Sequence, residues 1–150
     1  MEKPLFQKIF KQALKSQFAV VRFNWDFFTN QKEPSQGLKA EAIQLEEMLE
    51  FLTDNHKIPA RDIIVAAKSF GSQVVIKIDP KLYGDLALIT PNCDKENIFL
   101  KRYDRVLKTK KKIQISISVN DPYCDLEQIY TALPSLNKEH SIYTLSLIHI

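Results

Sequence analysis

The stretch VAAKSFGSQVV, Val65 to Val75, sets a lysine and a serine between an apolar run and a helix-like one. A serine does nucleophilic chemistry only when its hydroxyl is held clear of the backbone and within reach of a base. A very tight strand-to-helix turn can hold it so, provided that the residues two before and two after are small enough to spare the adjacent strands and helix. Ala67 and Gly71 occupy those two places around Ser69. The competing reading is an ordinary loop whose serine caps the following helix, a role that serine favours. Other reactive groups are sparse. Cys93 and Cys124 lie far apart without metal-ligand spacing, so they read as reduced thiols and no metal site is expected. Lys108, Lys110, Lys111 and Lys112 form a short basic run of the kind that ends a solvated helix. Gly37, Gly71 and Gly84 are the only glycines, too few for a glycine-rich phosphate loop, which removes the main support for a dinucleotide cofactor.

The elements around Ser69 alternate between two periods. Leu5, Ile9, Phe10, Ala13 and Leu14 recur at helical spacing, and Phe18 to Phe23 follows as a short β-branched and aromatic run that predicts a strand. Leu38 to Asn55 places Ile43, Leu45, Met48, Leu49 and Leu52 among glutamates, the pattern of an amphipathic helix. Pro59 closes the next turn. Ile63 to Ala67 is continuously apolar, as a strand covered on both faces must be. Thereafter the pattern predicts a helix over Ser72 to Ile78, strands over Leu86 to Thr90, Ile113 to Val119 and Ile142 to Ile148, and helices over Glu96 to Leu107 and Asp125 to Leu133. Five strands separated by helical crossovers make an α/β fold, a mostly parallel sheet with helices on both faces. In such a sheet the carboxyl ends of the strands form the functional rim, and Ser69 lies there.

Length and charge set the outer bounds. The chain has 150 residues, 45% of them hydrophobic and 26% charged, with a net charge of +3. These values describe one globular domain over residues 1–150, with no bias toward nucleic acid or membrane. The opening MEKPLFQKIFKQALKSQ mixes lysines into its apolar residues, so it is neither a signal peptide nor a membrane span. A cytoplasmic location is the default expectation.

With its strand, turn and helix setting, Ala67-Lys68-Ser69-Phe70-Gly71 resembles the G-x-S-x-G nucleophile elbow of the α/β-hydrolase superfamily, alanine replacing the first glycine. The basic residue before the serine and the SFGS that follows resemble a small, lidless branch of predicted hydrolases, related to dienelactone hydrolases and testis-expressed hydrolase-like proteins. That resemblance implies a serine nucleophile at Ser69, an oxyanion donor at the Phe70 N–H, and an acid in the loop after the Ile113 to Val119 strand. There VNDPYCD places Asp121, with Ser118 where the family's G-x-x-D-P loop has glycine. Asp121 also has a simpler reading as a turn residue before Pro122, and Asp125 reads as the cap of the next helix.

The superfamily's chain order, serine then acid then histidine, leaves His149 as the only histidine in the right place. His56 precedes the serine and His140 precedes the last strand. His149 sits in LSLIHI, Leu145 to Ile150, which is also what a transposase mosaic end of sequencing libraries encodes. Two readings therefore stay open: His149 is the base, or residues 145–150 are a non-native tail and the base lies beyond the break. At the front, the resemblance implies further strands and an oxyanion loop before the first helix, so the chain is expected to be a fragment that lacks the first strands of the fold.

The implied activity is esterase-like acyl transfer to water on a small soluble ester or acyl substrate, with no cofactor, and impaired in the fragment. Lys68 reads as solvent-exposed, or as a pocket-mouth charge favouring anionic substrates; Tyr83, Tyr123 and Trp25 read as packing. The alternative is a non-catalytic α/β-hydrolase-like interaction domain. Oligomeric state is open.

Overall fold

A computed structural model describes residues 4–91, 106, 109, 112–118, 121, 124, 127, 129 and 141–145. The chain divides into two compact units, residues 1–33 and 34–150.

The first unit holds helix α1 (Pro4–Lys15) and the short helix α2 (Asp26–Thr29). Proline is suited to a first helical position, and Lys15 sits where a cation favours the helix dipole. Gln17, at φ 63°, ends the helix. The strand expected over Phe18 to Phe23 is absent: the backbone there is neither helix nor strand. An apolar, β-branched run becomes a strand only when a neighbour completes its hydrogen-bond ladder, and no sheet pairing among the described residues includes this run. Their side chains make local contacts instead, Arg22 over the Phe10 ring at 4.6 Å and Phe23 edge-on to Trp25 at 4.8 Å.

The second unit begins with helix α3 (Lys39–Asp54), led in by a 3-10 turn at Gln36–Leu38. Its start is fixed by a reciprocal clamp. The Ser35 N–H and hydroxyl both donate to the Glu41 carboxylate, while the Ala40 N–H donates to Ser35 Oγ at 2.9 Å. Glu41 is buried, which by itself would raise its pKa, yet the bonds from Ser35 hold it below its ordinary value. Leu45 and Leu49 carry the buried stripe of α3 at helical spacing.

A four-stranded, wholly parallel sheet follows in sequential order: β1 (Ile64–Ser69), β2 (Asp85–Pro91), β3 (Ile113–Ser118) and β4 (Ser141–Leu145). Helix α4 (Phe70–Val75) connects β1 toward β2, packs on both, and in turn packs against α3. Leu86 and Leu88 of β2, Ile113, Ile115 and Ile117 of β3, and Val74 and Val75 of α4 are almost wholly buried. Each such side chain contributes roughly 1.5–3 kcal/mol of hydrophobic free energy. The other face is unevenly covered. On β1, Ile64 and Ala66 are exposed although their run is continuously apolar: among the described residues nothing covers that face of β1, which is paired with β2 alone. The amino ends of the strands are pinned together. Gly84 and Asp85 donate to the Ile63 carbonyl at 2.8 and 3.2 Å, and Leu86 donates to that of Lys112 at 3.1 Å.

The later expectations fall partly outside the described residues. Val106, Glu127 and Ile129 are helical, within the spans expected to be helices, while Val119 and residues 146–148 of the expected strands lie outside the described residues. Cys124 overturns the reading of reduced thiols: it is buried and disulfide-bonded. Distance along the chain says nothing of distance in space. Cys124 follows β3 and Cys93 follows β2, two adjacent strands, although Cys93 itself lies outside the described residues. Among the described residues no helix is long and apolar enough to cross a membrane.

Candidate active site

Ser69 is the last residue of β1, and Phe70 the first of α4, with no loop between them. The chain must pass from extended to helical geometry within one residue, and Ser69 takes the strain, at φ 46° and ψ −111°. Six non-glycine residues have positive φ among the described ones. Gln17, Gln31, Leu38 and Lys57 flank helices, where such turns are common, whereas Ser69 and Thr90 lie in strands.

The Ser69 side chain is exposed and makes no capping hydrogen bond to α4. The capping role therefore fails on geometry. The hydroxyl that would have been spent on a helix end is presented at the sheet's carboxyl rim.

A buried hydrogen bond holds the turn. Ser72, wholly buried, donates its hydroxyl to the Ser69 carbonyl. On the β2 side, Ser69 pairs with Pro91, which has no N–H to offer a ladder. The bond from Ser72 thus holds a carbonyl at the point where regular pairing gives out. Ala67 and Gly71 meet across the turn, but less tightly than their sizes suggest: a Cβ at Gly71 would stand 3.9 Å from that of Ala67, an ordinary contact.

The β1–β2 register is regular through Lys68 opposite Ile89 and then slips, so that Ser69 faces Pro91 and Thr90 is the extra residue of a bulge. Thr90 has φ 43°. Sequence reasoning found neither Ser72 nor Thr90. The available signals were a second serine one helical turn after Ser69, and a proline ending a strand that should still be paired.

Asp121 is half-buried in the segment after β3. Because β1, β2 and β3 are parallel, Ser69 and Ser118 end their strands at the same rim. Two interstrand spacings, roughly 10 Å, separate the ends of β1 and β3. Phe70, the proposed oxyanion donor, is half-buried in the first turn of α4. His149 lies outside the described residues. His56 is exposed near the end of α3 with its ring edge-on to Phe51, and His140 immediately precedes β4. Lys68 is half-buried. Tyr83 is a core residue, its hydroxyl pushed up to about 12 by burial and by the nearby Asp79. A surface groove of about 280 Å³ in the first unit, lined by Gln7, Phe10, Lys11 and Arg22, includes neither Ser69 nor Asp121.

No protein-family model matches the chain, and no curated protein does. Solved structures do. The esterase domain of a Rhodothermus marinus protein aligns with a TM-score of 0.54 at 16% identity, over 71% of this chain and 57% of that one. Puromycin hydrolase, solved as a serine-to-alanine mutant complexed with PGG, aligns with a TM-score of 0.55 at 13% identity, over 71% of this chain and 21% of that one. The chain thus spans about half the length of the first and a fifth of the second. At such identities the likeness is one of fold, and the chain shares the α/β fold of these hydrolases.

Proposed function

We propose that the chain is the nucleophile-bearing part of a serine hydrolase that transfers an acyl group from a small ester to water. Ser69 Oγ attacks the substrate carbonyl, forming a tetrahedral adduct whose oxyanion takes a hydrogen bond from the Phe70 N–H. A histidine removes the serine proton and returns it to the departing alkoxide. Asp121, across the rim, holds that histidine in the tautomer that accepts from serine and stabilises the imidazolium. Water then attacks the acyl-enzyme by the same route in reverse, releasing the acid and restoring Ser69.

One observation carries the reading: a non-glycine residue, left-handed at a strand end, whose hydroxyl is exposed and not committed to the helix it precedes. Strain of that kind persists where surrounding structure over-determines it, and it concentrates at active sites. The hydrolase-type fold of the solved relatives supports the same reading.

A fluorophosphonate probe on the full-length protein tests it. Covalent labelling that disappears in Ser69→Ala and falls steeply in Asp121→Asn is the expected result. A folded full-length protein that takes no label would be a non-catalytic interaction domain.

A further inference from the structure

Among the described residues the buried polar ones are Glu41 and Ser72. The clamp with Ser35 accounts for Glu41. Ser72 lies in the first turn of α4, where alanine, the better helix former, would fill a buried place without a hydroxyl to satisfy. Its hydroxyl instead donates to the Ser69 carbonyl. That carbonyl shares one peptide unit with the Phe70 N–H. The peptide is trans, so the two groups point in opposite directions from a single rigid plane. The carbonyl accepts from a residue within α4 and so points into the helix; the Phe70 N–H therefore points the other way, out of the turn at the rim where Ser69 stands. The rotation of this plane about Ser69 is its ψ of −111°, outside both the helical and the extended ranges. Neither β1 nor α4 dictates that angle, and the bond from Ser72 restrains it directly.

We infer that Ser72 is a positioning residue, whose buried hydroxyl fixes the Ser69–Phe70 peptide plane and thereby aims the Phe70 N–H at the oxyanion of the adduct on Ser69. The inference rests on the reading of Ser69 as nucleophile and of Phe70 as its oxyanion donor. Ser72 acts through the plane and does not touch the substrate, so it influences the transition state and not substrate binding. Outright loss of an oxyanion donor costs about a hundredfold to a thousandfold, and a donor kept but free to swing should cost less, roughly tenfold to a hundredfold in kcat.

The test uses the full-length protein with p-nitrophenyl acetate as substrate and phenylboronic acid as inhibitor. Boron takes up Ser69 Oγ as the hydroxyl proton passes to the histidine, and the tetrahedral anion so formed calls on the same N–H. Ser72→Ala should lower kcat by the factor above, leave KM within about twofold, and raise the boronate inhibition constant in parallel with the loss in kcat. Ser72→Cys, which fills the space with a much weaker donor, should match Ser72→Ala, so that lost volume is not the cause. A merely structural serine would lower the melting temperature and leave both constants of the folded protein unchanged. Wild-type kcat in either variant, or a lowered kcat with wild-type boronate affinity, overturns the assignment of Ser72 alone. Absence of any turnover that Ser69→Ala removes overturns the nucleophile reading, and this inference with it.

Discussion

Replacing Ser69 by glycine and by alanine separates a strained nucleophile from a helix cap. At φ 46° and ψ −111° a residue with a Cβ bears about 1–3 kcal/mol of strain. Glycine removes it but loosens the unfolded chain, which costs about 0.4–1 kcal/mol. The net expectation for Ser69→Gly is a gain of about 1 kcal/mol, or roughly 2–4 °C in Tm for a chain of this length. Alanine keeps the Cβ and so keeps the strain. Because the hydroxyl is exposed and makes no capping bond, its loss should change stability by no more than about 0.5 kcal/mol. A capping serine behaves in the opposite way: alanine loses about 1 kcal/mol, and glycine only a few tenths.

Guanidinium and thermal unfolding followed by circular dichroism give both values, and fluorophosphonate labelling of the same proteins gives the functional side. The expected pattern is a more stable glycine variant, an alanine variant equal to wild type, and no label on either. An alanine variant weaker by about 1 kcal/mol, with a glycine variant no better than wild type, would refute the strained elbow and restore the cap.

Three further outcomes follow from the packing. Gly84→Ala should unfold the chain or destabilise it by 3 kcal/mol or more, because its Cβ would stand 2.1 Å from the Arg61 carbonyl oxygen; Gly71→Ala, with only a 3.9 Å contact, should stay within about 1 kcal/mol in the same denaturation assay. Glu41→Gln should lower stability at neutral pH: a carboxylate with a depressed pKa contributes above its ordinary 4.5 and loses that contribution as pH falls through its folded value, so the gap between wild type and variant should close in acid melts. Thiol titration in denaturant without reductant should find no free cysteine, and reduction should destabilise the fold by about 2–4 kcal/mol.

Much of the second unit was legible because burial imposes period. The glutamate-flanked apolar stripe of α3 and the apolar runs of β1, β2 and β3 lie within two residues of their expected bounds. The α4 helix starts two residues early, at Phe70, because the backbone turns in a single strained step that hydrophobic spacing does not record. Phe18 to Phe23 misled for the complementary reason. Its composition suits a strand, but strand formation depends on a partner, and local sequence does not report whether one is present. The disulfide at Cys124 and the bulge at Thr90 are likewise facts of proximity. Ser69 and its small neighbours could be read from residue types alone, whereas Ser72 and Thr90 acquire meaning only when two strand ends are laid side by side.

The strain at the rim has a structural source. Through Lys68 and Ile89 the β1–β2 ladder is regular, and the leucines of β2 are buried to about 1% exposure or less, so the body of the sheet has little freedom to relax. Irregularity is confined to the carboxyl ends, where Ser69 and Thr90 both adopt left-handed backbones within one ladder step of each other. A rigid sheet that ends in two strained residues resists the relaxation that would let either side chain fall back to the surface. On this reasoning the two positions should couple. The double variant Ser69→Gly, Thr90→Gly should gain less stability than the sum of the single changes, because relieving one strand end lets the other relax. Simple additivity would mean that the two strains are independent, and that the slipped register is not what holds them together.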